Sequence, residues 1–286
     1  MNISRYAGLS VLMLSLWIGT SVELAQAGPW DRKYEPLFFQ PGKDVVWVPT
    51  GQELVDKMLA VAKVTSQDYV IDLGSGDGRT VISAAKLGAR SLGIEYNPEM
   101  VALSKRNAAN EGVADKAQFI QADLFETDFS QATVLTLFLM PDINIRLRPK
   151  ILNLKPGTRV VSNTFTMGEW AEDESTSVED HQQCTFYCTA YLWIVPAKAG
   201  GLWKLPNGEL DLRQDFQMVF GTLRYGIDIK PIINGRLTGD QISFTVGNAT
   251  YTGRVKGDAM EGMFTSDGST TGWSALKIGE TLQTPK

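Results

Sequence analysis

Residues 74–78, with the sequence GSGDG, constrain this chain of 286 residues more than any other segment. The residues YVID at 69–72 have the length and apolar character of a buried strand, and residues 79–87 favour a helix. A glycine turn between a strand and a helix brings a ligand close to the backbone and directs helix N–H groups at it. The dinucleotide motif G-x-G-x-x-G would place glycine where this chain has Arg79. The turn therefore predicts a nucleotide-like ligand and disfavours a dinucleotide.

Three acidic residues are predicted to follow three successive strands. Asp72 ends the strand before the turn, Glu95 ends a second strand at 92–95, and Asp123 follows a third at 119–122. The carboxyl ends of parallel strands meet at the edge where open α/β sheets bind ligands. A carboxylate beside the turn would repel a pyrophosphate, but it suits a ligand with ammonium and sulfonium groups. Glu95 then suits the ribose hydroxyls and Asp123 the adenine amino group. We therefore predict S-adenosyl-L-methionine as the cofactor.

The order of elements predicts an α/β, Rossmann-like fold. Apolar strands alternate with amphipathic helices from residue 69 to residue 161, which indicates a parallel sheet with helices on both faces. We expect a first helix behind a capping box, TGQE, at 50–53, and a helix at 145–154 with a break or kink at Pro149. The stretch from 28 to 48 is expected to pack on this domain as an arm, so that the domain spans residues 28–196.

Residues 197–286 have a different character. Glycines recur, helical periodicity disappears, and short alternating segments predominate. The segments GRLTGDQI at 235–242 and GRVKGDAM at 253–260 resemble each other at an offset of about one hairpin. Since Gly-Asp pairs favour hairpin turns, we predict a small antiparallel β domain, a meander or a small barrel.

Residues 1–27 are predicted to be a secretory signal peptide. Arg5 supplies the positive charge, an apolar run covers 7–18, and Ala25-Gln26-Ala27 forms a small-x-small cleavage site. The alternative is an uncleaved membrane anchor, for which the apolar run is short. We expect export to the periplasm or the medium.

Cys184 and Cys188 are the two cysteines of the chain. In a straight strand, residues four apart lie ~13 Å from each other, whereas a disulfide needs Cα atoms within ~7 Å. We expect two buried or partly buried thiols. A disulfide, which export would permit, requires the chain to turn between them.

The composition excludes several classes of site. The net charge of −5 argues against a sequence-independent grip on nucleic acid, which needs a basic surface. The single histidine, His181, argues against a histidine-rich metal site and against most serine or cysteine triads. We therefore expect neither a nucleic-acid partner nor a metal.

The motifs resemble class I S-adenosylmethionine-dependent methyltransferases. The resemblance rests on VIDLGSGDGR at 70–79 and GIEYNP at 93–98. Together with VPT at 48–50 and DLF at 123–125, they are most similar to the protein-lysine methyltransferases acting on the ATP synthase c subunit and the adenine nucleotide translocase. The resemblance covers residues 45–196.

The resemblance implies a seven-stranded sheet whose last strand, at 190–195, is antiparallel. It also implies that Asp72 and the glycines contact the aminoacyl end of the cofactor, Glu95 the ribose, and Asp123 with Leu124 the adenine. The candidate cofactor-binding residues are Asp72, Gly74, Ser75, Gly76, Gly78, Glu95, Asp123 and Leu124.

The acceptor side is predicted mainly by exclusion. After the fourth strand the chain has LMPDIN at 139–144, in place of the Asn- or Asp-Pro-Pro-aromatic motif of adenine N6 and glutamine methylases. We expect protein-lysine N-methylation and assign no catalytic base. Trp170 is a candidate for an aromatic rim around the acceptor, and Asp142 or Asn144 is a candidate for orienting the amine. The alternative for each of them is an ordinary loop residue without a role in binding.

Two other functions remain open at this point. The first is an exported binding or sensor protein without catalysis, whose C-terminal domain binds an envelope component. The second is a small-molecule methyltransferase, in which that domain shapes the acceptor pocket.

Overall fold

The computed structural model describes residues 34–179, 184 and 186–280. From Glu35 onward the described chain contains a seven-stranded sheet, four helices and a closed barrel. The predicted fold class, a Rossmann-like sheet followed by an antiparallel β domain, is confirmed. The predicted signal segment 1–27 lies outside the described residues. Among the described helices, none has the length and apolar composition needed to cross a bilayer.

The strands of the sheet are β1 (Tyr69–Leu73), β2 (Arg90–Glu95), β3 (Ala117–Gln121), β4 (Val134–Leu137), β5 (Arg159–Asn163), β6 (Glu174–Ser177) and β7 (Thr189–Ile194). They lie side by side in the order β3-β2-β1-β4-β5-β7-β6. Strands β1 to β5 are parallel to one another, and β7 is antiparallel to β5, as the resemblance implies. The edge strand β6 pairs with β7 and was not predicted, because its sequence ESTS has no apolar alternation.

The four helices are α1 (Gln52–Val61), α2 (Arg79–Lys86), α3 (Pro98–Asn110) and α4 (Pro141–Ile151). They cover both faces of the sheet, since consecutive residues of a strand point to opposite sides. Val70 packs in one buried cluster with α1, and its neighbour Ile71 packs in another with α4. Both faces of the central strands β1 and β4 are therefore apolar, as parallel sheets require.

Two local predictions about the helices are wrong. The N-cap of α1 is Gly51 rather than Thr50, because the Thr50 hydroxyl accepts a hydrogen bond from Asn163 Nδ2 at 3.2 Å instead of capping the helix. Helix α4 begins at Pro141 and continues through Pro149. A proline two residues from the end of a helix removes a single backbone hydrogen bond, so the last turn still forms.

The C-terminal strands close into a barrel. They are β8 (Gly201–Leu205), β9 (Gly208–Asp215), β10 (Met218–Tyr225), β11 (Asp228–Thr238), β12 (Gln241–Val246), β13 (Ala249–Lys256), β14 (Ala259–Ser266) and β15 (Ser269–Gly279). Each strand is antiparallel to the next, and β15 pairs with β8. The two similar segments contain equivalent turns, with φ of 60° at both Gly239 and Gly257. Trp203, Phe244 and Trp273 help to fill the interior, which is therefore a packed core.

The barrel contacts the edge of the sheet at which the parallel strands begin. Gly239 accepts a hydrogen bond from the Ala197 N–H at 2.8 Å, and a Cβ on it would lie 3.0 Å from Gly157, just before β5. Arg236 Nη2 lies 2.6 Å from Asp173 Oδ1. Since the predicted cofactor residues lie at the ends of these strands, the barrel and the predicted site occupy opposite edges.

Cys184 and Cys188 form a disulfide, so the expectation of free thiols is wrong. Their Cα atoms are 5.7 Å apart, well below the spacing in a straight strand. The chain turns between them, with Tyr187 at φ 62°, in the left-handed region.

Candidate functional site

The glycine turn between β1 and α2 adopts backbone angles that favour glycine. Gly74, Gly76 and Gly78 have φ of 76°, 53° and 84°. The Gly74 N–H donates to the Ile94 carbonyl at 2.9 Å, which holds the turn against β2. A Cβ at Gly76 would lie 2.8 Å from Nε1 of Trp47. The turn is therefore fixed in a shape in which Gly76 has no room for a side chain, because Trp47 packs against it.

Asp72 is buried at the end of β1, and no described residue forms an ion pair with it. Its carboxylate accepts a hydrogen bond from the Thr136 hydroxyl at 2.6 Å. Burial, which outweighs the hydrogen bond from Thr136, raises the pKa of Asp72 to about 7, with a contribution from the negative charges of Glu95 and Asp77. A cationic ligand would compensate this buried carboxylate.

Glu95 lies half-buried at the end of β2, beside the glycine turn. Its Oε2 accepts a hydrogen bond from the Gly76 N–H at 3.0 Å, and its Oε1 accepts one from the Asn97 N–H at 2.9 Å. The carboxylate therefore fixes the turn as well as facing the cavity at this edge.

Asp123 follows β3, where its Oδ1 accepts a hydrogen bond from the Phe125 N–H at 2.9 Å. Its Oδ2 forms an ion pair with Lys43 of the arm. The hydrogen bond from Lys43, followed by that from Phe125, lowers the pKa of Asp123 below its usual range. Asp123 is therefore anionic at neutral pH.

These residues surround one cavity at the carboxyl edge of the sheet. Seven of the eight predicted residues line it: Asp72, Gly74, Ser75, Gly76, Glu95, Asp123 and Leu124. The eighth, Gly78, shapes the turn from behind, since a Cβ on it would meet the Phe119 ring at 2.8 Å. The buried Ser75 hydroxyl has no hydrogen-bond partner among the described residues.

An arm segment, defined here as residues 40–50, forms the outer wall of the cavity. Backbone hydrogen bonds of 2.9 Å join Phe39 to Trp47 and Trp47 to Gln40, so the segment folds back on itself. Lys43 Nζ also lies 4.9 Å from the centre of the Tyr96 ring. Lys43 was not predicted as a site residue, because its position depends on how the arm folds over the sheet.

An aromatic cluster, defined as Phe138, Phe165 and Tyr187, adjoins the same cavity. Phe138 follows β4 and lines the cavity. Its ring centroid lies 6.2 Å from that of Phe165 and 5.2 Å from that of Tyr187, and the latter two are 6.0 Å apart. Phe138 and Phe165 are half-buried and Tyr187 is exposed, so a ligand can reach the rings.

Comparison with known proteins identifies the family. The model of the ANTKMT methyltransferase domain matches residues 72–174. A protein-lysine N-methyltransferase from Saccharolobus islandicus (strain REY15A) is 41% identical over 154 residues, which cover 53% of this chain and 94% of that protein. The chain therefore belongs to the same methyltransferase family as this relative. It is an S-adenosylmethionine-dependent methyltransferase, as predicted.

Other relatives match over less of their length. The Homo sapiens lysine N-methyltransferase named for the ATP synthase c subunit is 38% identical over 131 residues, which cover 46% of this chain and 56% of that protein. The methyltransferase thus spans about half the length of that relative. Among solved structures, an RNA methyltransferase from Salinibacter ruber in complex with S-adenosyl-L-homocysteine is 47% identical, with coverage of 53% and 95% and a TM-score of 0.49.

The cavity fits the methyltransferase's cofactor in its chemistry. Asp72 offers an uncompensated buried carboxylate to an ammonium group, and residues 74–76 of the glycine turn line the cavity beside it. Glu95 and Asp123 offer carboxylate oxygens at the next two strand ends. These residues would hold the aminoacyl, ribose and adenine parts in that order along the edge, and this assignment stays a prediction.

The candidate acceptor residues lie elsewhere. Trp170 is fully buried and stacks on Phe216 at 6.0 Å, close to the barrel, so it cannot form a rim. Asn144 is also fully buried, and its Nδ2 donates to the Phe165 carbonyl at 3.2 Å, which supports the aromatic cluster from below. Asp142 is exposed at the start of α4 and does not line the cavity. The aromatic cluster therefore replaces these residues as the candidate acceptor wall.

Proposed function

We propose that this methyltransferase transfers methyl groups to lysine side chains of proteins. The proposal is supported by two relatives, from Saccharolobus islandicus and Homo sapiens, which are named as lysine N-methyltransferases. It is also supported by LMPDIN at 139–144, which lacks the motif of adenine N6 and glutamine methylases.

The observation that carries the proposal is the order of groups along the carboxyl edge. From β3 through β2, β1 and β4 to β5, the strand ends bear Asp123, Glu95, Asp72, Phe138 and Phe165. A cofactor held with its adenine at Asp123 and its aminoacyl end at Asp72 leaves the side toward β4 free for the acceptor. That side is apolar and aromatic, as an entry for a deprotonated amine should be.

The protein's own residues act by positioning and desolvation. The cofactor supplies an electrophilic methyl group, and its sulfur takes up the electron pair of the C–S bond that breaks. The lysine nitrogen must present its lone pair in line with that bond, so holding both groups in place contributes much of the acceleration. An aromatic wall lowers the pKa of the amine by excluding water, and its proton leaves to solvent.

Methyl incorporation tests the proposal. Purified protein is incubated with methyl-tritiated S-adenosylmethionine and a membrane-protein extract, and acid hydrolysates are analysed for methylated lysine. We expect label in methyllysine, and none when the extract's lysines have been blocked by acetylation, because an amide nitrogen cannot attack the methyl group. Label confined to nucleic acid or small molecules, or no label at all, would contradict the proposal.

The alternatives are less well supported. Membership of an enzyme family does not favour a binding or sensor protein without catalysis. A small-molecule enzyme whose acceptor pocket is shaped by the C-terminal domain is disfavoured, because the barrel contacts the opposite edge of the sheet. An envelope component remains the proposed partner of the barrel surface.

We also propose that the protein is exported. The sequence of residues 1–27 supports this, and so does the Cys184–Cys188 disulfide, since disulfides persist in oxidising compartments. A fusion of residues 1–40 to a reporter that is active only outside the cytosol should give signal. The matched control is the same fusion with Arg5→Glu, which should give less signal because it lacks the positive charge. An inactive reporter in the wild-type fusion would overturn the proposal.

A further inference from the structure

We infer that the disulfide between Cys184 and Cys188 is part of the acceptor site, because it holds Tyr187 as the third wall of a site for the lysine amine. The inference rests on the proposed function and extends it to the residues that recognise the acceptor. It makes Tyr187 an acceptor-binding residue and the disulfide its positioning device.

Each ring of the aromatic cluster is held by a different element. Phe138 continues directly from the buried strand β4, and the backbone of Phe165 is held by the buried Asn144. Tyr187 has neither support, since it belongs to the segment between β6 and β7. Apart from its ring contacts with Phe138 and Phe165, the restraint on it among the described residues is the disulfide from Cys184 to Cys188.

The disulfide anchors this segment to the protein core. Both sulfur-bearing residues pack against the buried cluster that contains α1. The Cys188 carbonyl accepts a hydrogen bond from the Val178 N–H at 2.9 Å, which ties the end of the loop to the chain beyond β6. Tyr187 meanwhile adopts φ of 62°, a conformation that costs free energy for a non-glycine residue. The closed loop therefore imposes a backbone geometry that a free chain would not favour.

The cluster suits the charge that methyl transfer moves. The N–C bond forms as the C–S bond breaks, so positive charge passes from the sulfur to the lysine nitrogen. Aromatic faces within about 6 Å attract a cation by about 0.5–2 kcal/mol, depending on exposure. Tyr187 packs edge-on to Phe138, at an interplanar angle of 63°, while Phe138 and Phe165 are nearly parallel. Loss of Tyr187 would open the third side of this aromatic wall to water.

Reduction of the disulfide offers a way to release Tyr187 from the aromatic cluster without mutation. A dithiol such as dithiothreitol delivers two electrons and two protons to the disulfide, which becomes two thiols, while the dithiol becomes a cyclic disulfide. The predicted cofactor residues follow β1, β2 and β3, whereas the loop precedes β7. Reduction should therefore weaken the acceptor interaction and leave the cofactor interaction unchanged.

The test uses the full-length protein and compares its oxidised and reduced states, with the redox state checked by mass spectrometry after alkylation. Calorimetry gives the Kd for S-adenosylmethionine, and tritium incorporation at varied extract concentration gives KM and kcat for the acceptor. We expect reduction, Tyr187→Ala and the double variant Cys184→Ser/Cys188→Ser each to raise the acceptor KM about tenfold. The cofactor Kd should stay within about twofold, and Tyr187→Phe should retain the low KM because it keeps the ring.

The matched control is Phe186→Ala, since Phe186 is the adjacent aromatic, is 78% exposed and forms no ring contact within the described part of the chain. It should leave KM unchanged. Equal KM in the verified oxidised and reduced states would overturn the inference, as would an equal effect of Phe186→Ala and Tyr187→Ala. If the oxidised wild type binds S-adenosylmethionine but methylates no protein lysine, the proposed function itself fails, and the inference fails with it.

Discussion

Two aspartates at opposite ends of β1 have almost the same burial and opposite electrostatics. Asp68, just before the strand, is 8% exposed, and Asp72, near its end, is 7% exposed. Burial alone would raise both pKa values. At Asp68, the Thr65 backbone N–H, the Thr133 hydroxyl and the Arg159 guanidinium outweigh it and bring the pKa below its usual range.

At Asp72 no cation of the described residues does the same, and burial, with the charges of Glu95 and Asp77, raises its pKa to about 7. The difference distinguishes a structural edge from a ligand-binding edge of one sheet. Where the strands begin, the buried carboxylate is already paired within the protein. Where they end, it is left for a ligand to compensate, at a cost in the stability of the protein without ligand.

The largest expected effect concerns cofactor affinity. Asp72→Asn should weaken S-adenosylmethionine binding by at least about 100-fold, because it removes the buried charge facing the ligand's ammonium group. Asp68→Asn is the matched control and should change the Kd by less than about threefold. Calorimetric titration of both variants at pH 8 measures this. Similar losses in the two variants would remove the distinction between the edges.

The next effect is on stability, and here the control becomes the sensitive variant. Asp68→Asn should lower the free energy of unfolding by about 2 kcal/mol, since the partly buried Arg159 loses its carboxylate partner. Urea denaturation at pH 7 without ligand gives the value. A loss below about 0.5 kcal/mol would mean that the Asp68–Arg159 pair contributes no more than a surface ion pair.

Asp72→Asn should change the free energy of unfolding in the opposite direction in the same measurement. Because the pKa of Asp72 is higher in the folded protein than in the unfolded chain, the folded state binds more protons between about pH 4 and pH 7, and its stability falls as pH rises through that window. The Asp72→Asn variant carries no charge at this position, so its stability does not fall in this way as pH rises. It should therefore be more stable than the wild type by about 1–2 kcal/mol at pH 5, with a difference that grows toward pH 7 and disappears below about pH 4. A difference independent of pH would show that Asp72 does not titrate in this range.

The features that sequence could predict are those set by neighbouring residues. The positive φ angles of Gly74 and Gly76 follow from the glycines themselves, and a carboxylate at a strand end follows from the apolar run before it. Those local patterns were enough to predict the sheet and to predict that Asp72 and Glu95 line one cavity.

The features that were missed depend on how distant segments meet. Trp170 has the character of a rim residue in sequence, but its surroundings near the barrel bury it. The disulfide required a turn at Tyr187, which no glycine or proline marks. Lys43 lies 80 residues before Asp123, and only the folded arm brings the two together.

That arm gives the smallest expected effect. Lys43 engages the Asp123 carboxylate predicted to receive the adenine amino group, so the pair competes with the cofactor for one set of oxygens. Both side chains are partly exposed, and such pairs are weak because solvent and salt screen them. Lys43→Ala should therefore tighten S-adenosylmethionine binding about two- to fivefold at low salt, and 0.5 M salt should reduce the difference by screening the pair in the wild type. Weaker binding in Lys43→Ala would instead mean that Lys43 holds the arm over the bound cofactor, and that this wall of the cavity belongs to the ligand-bound state.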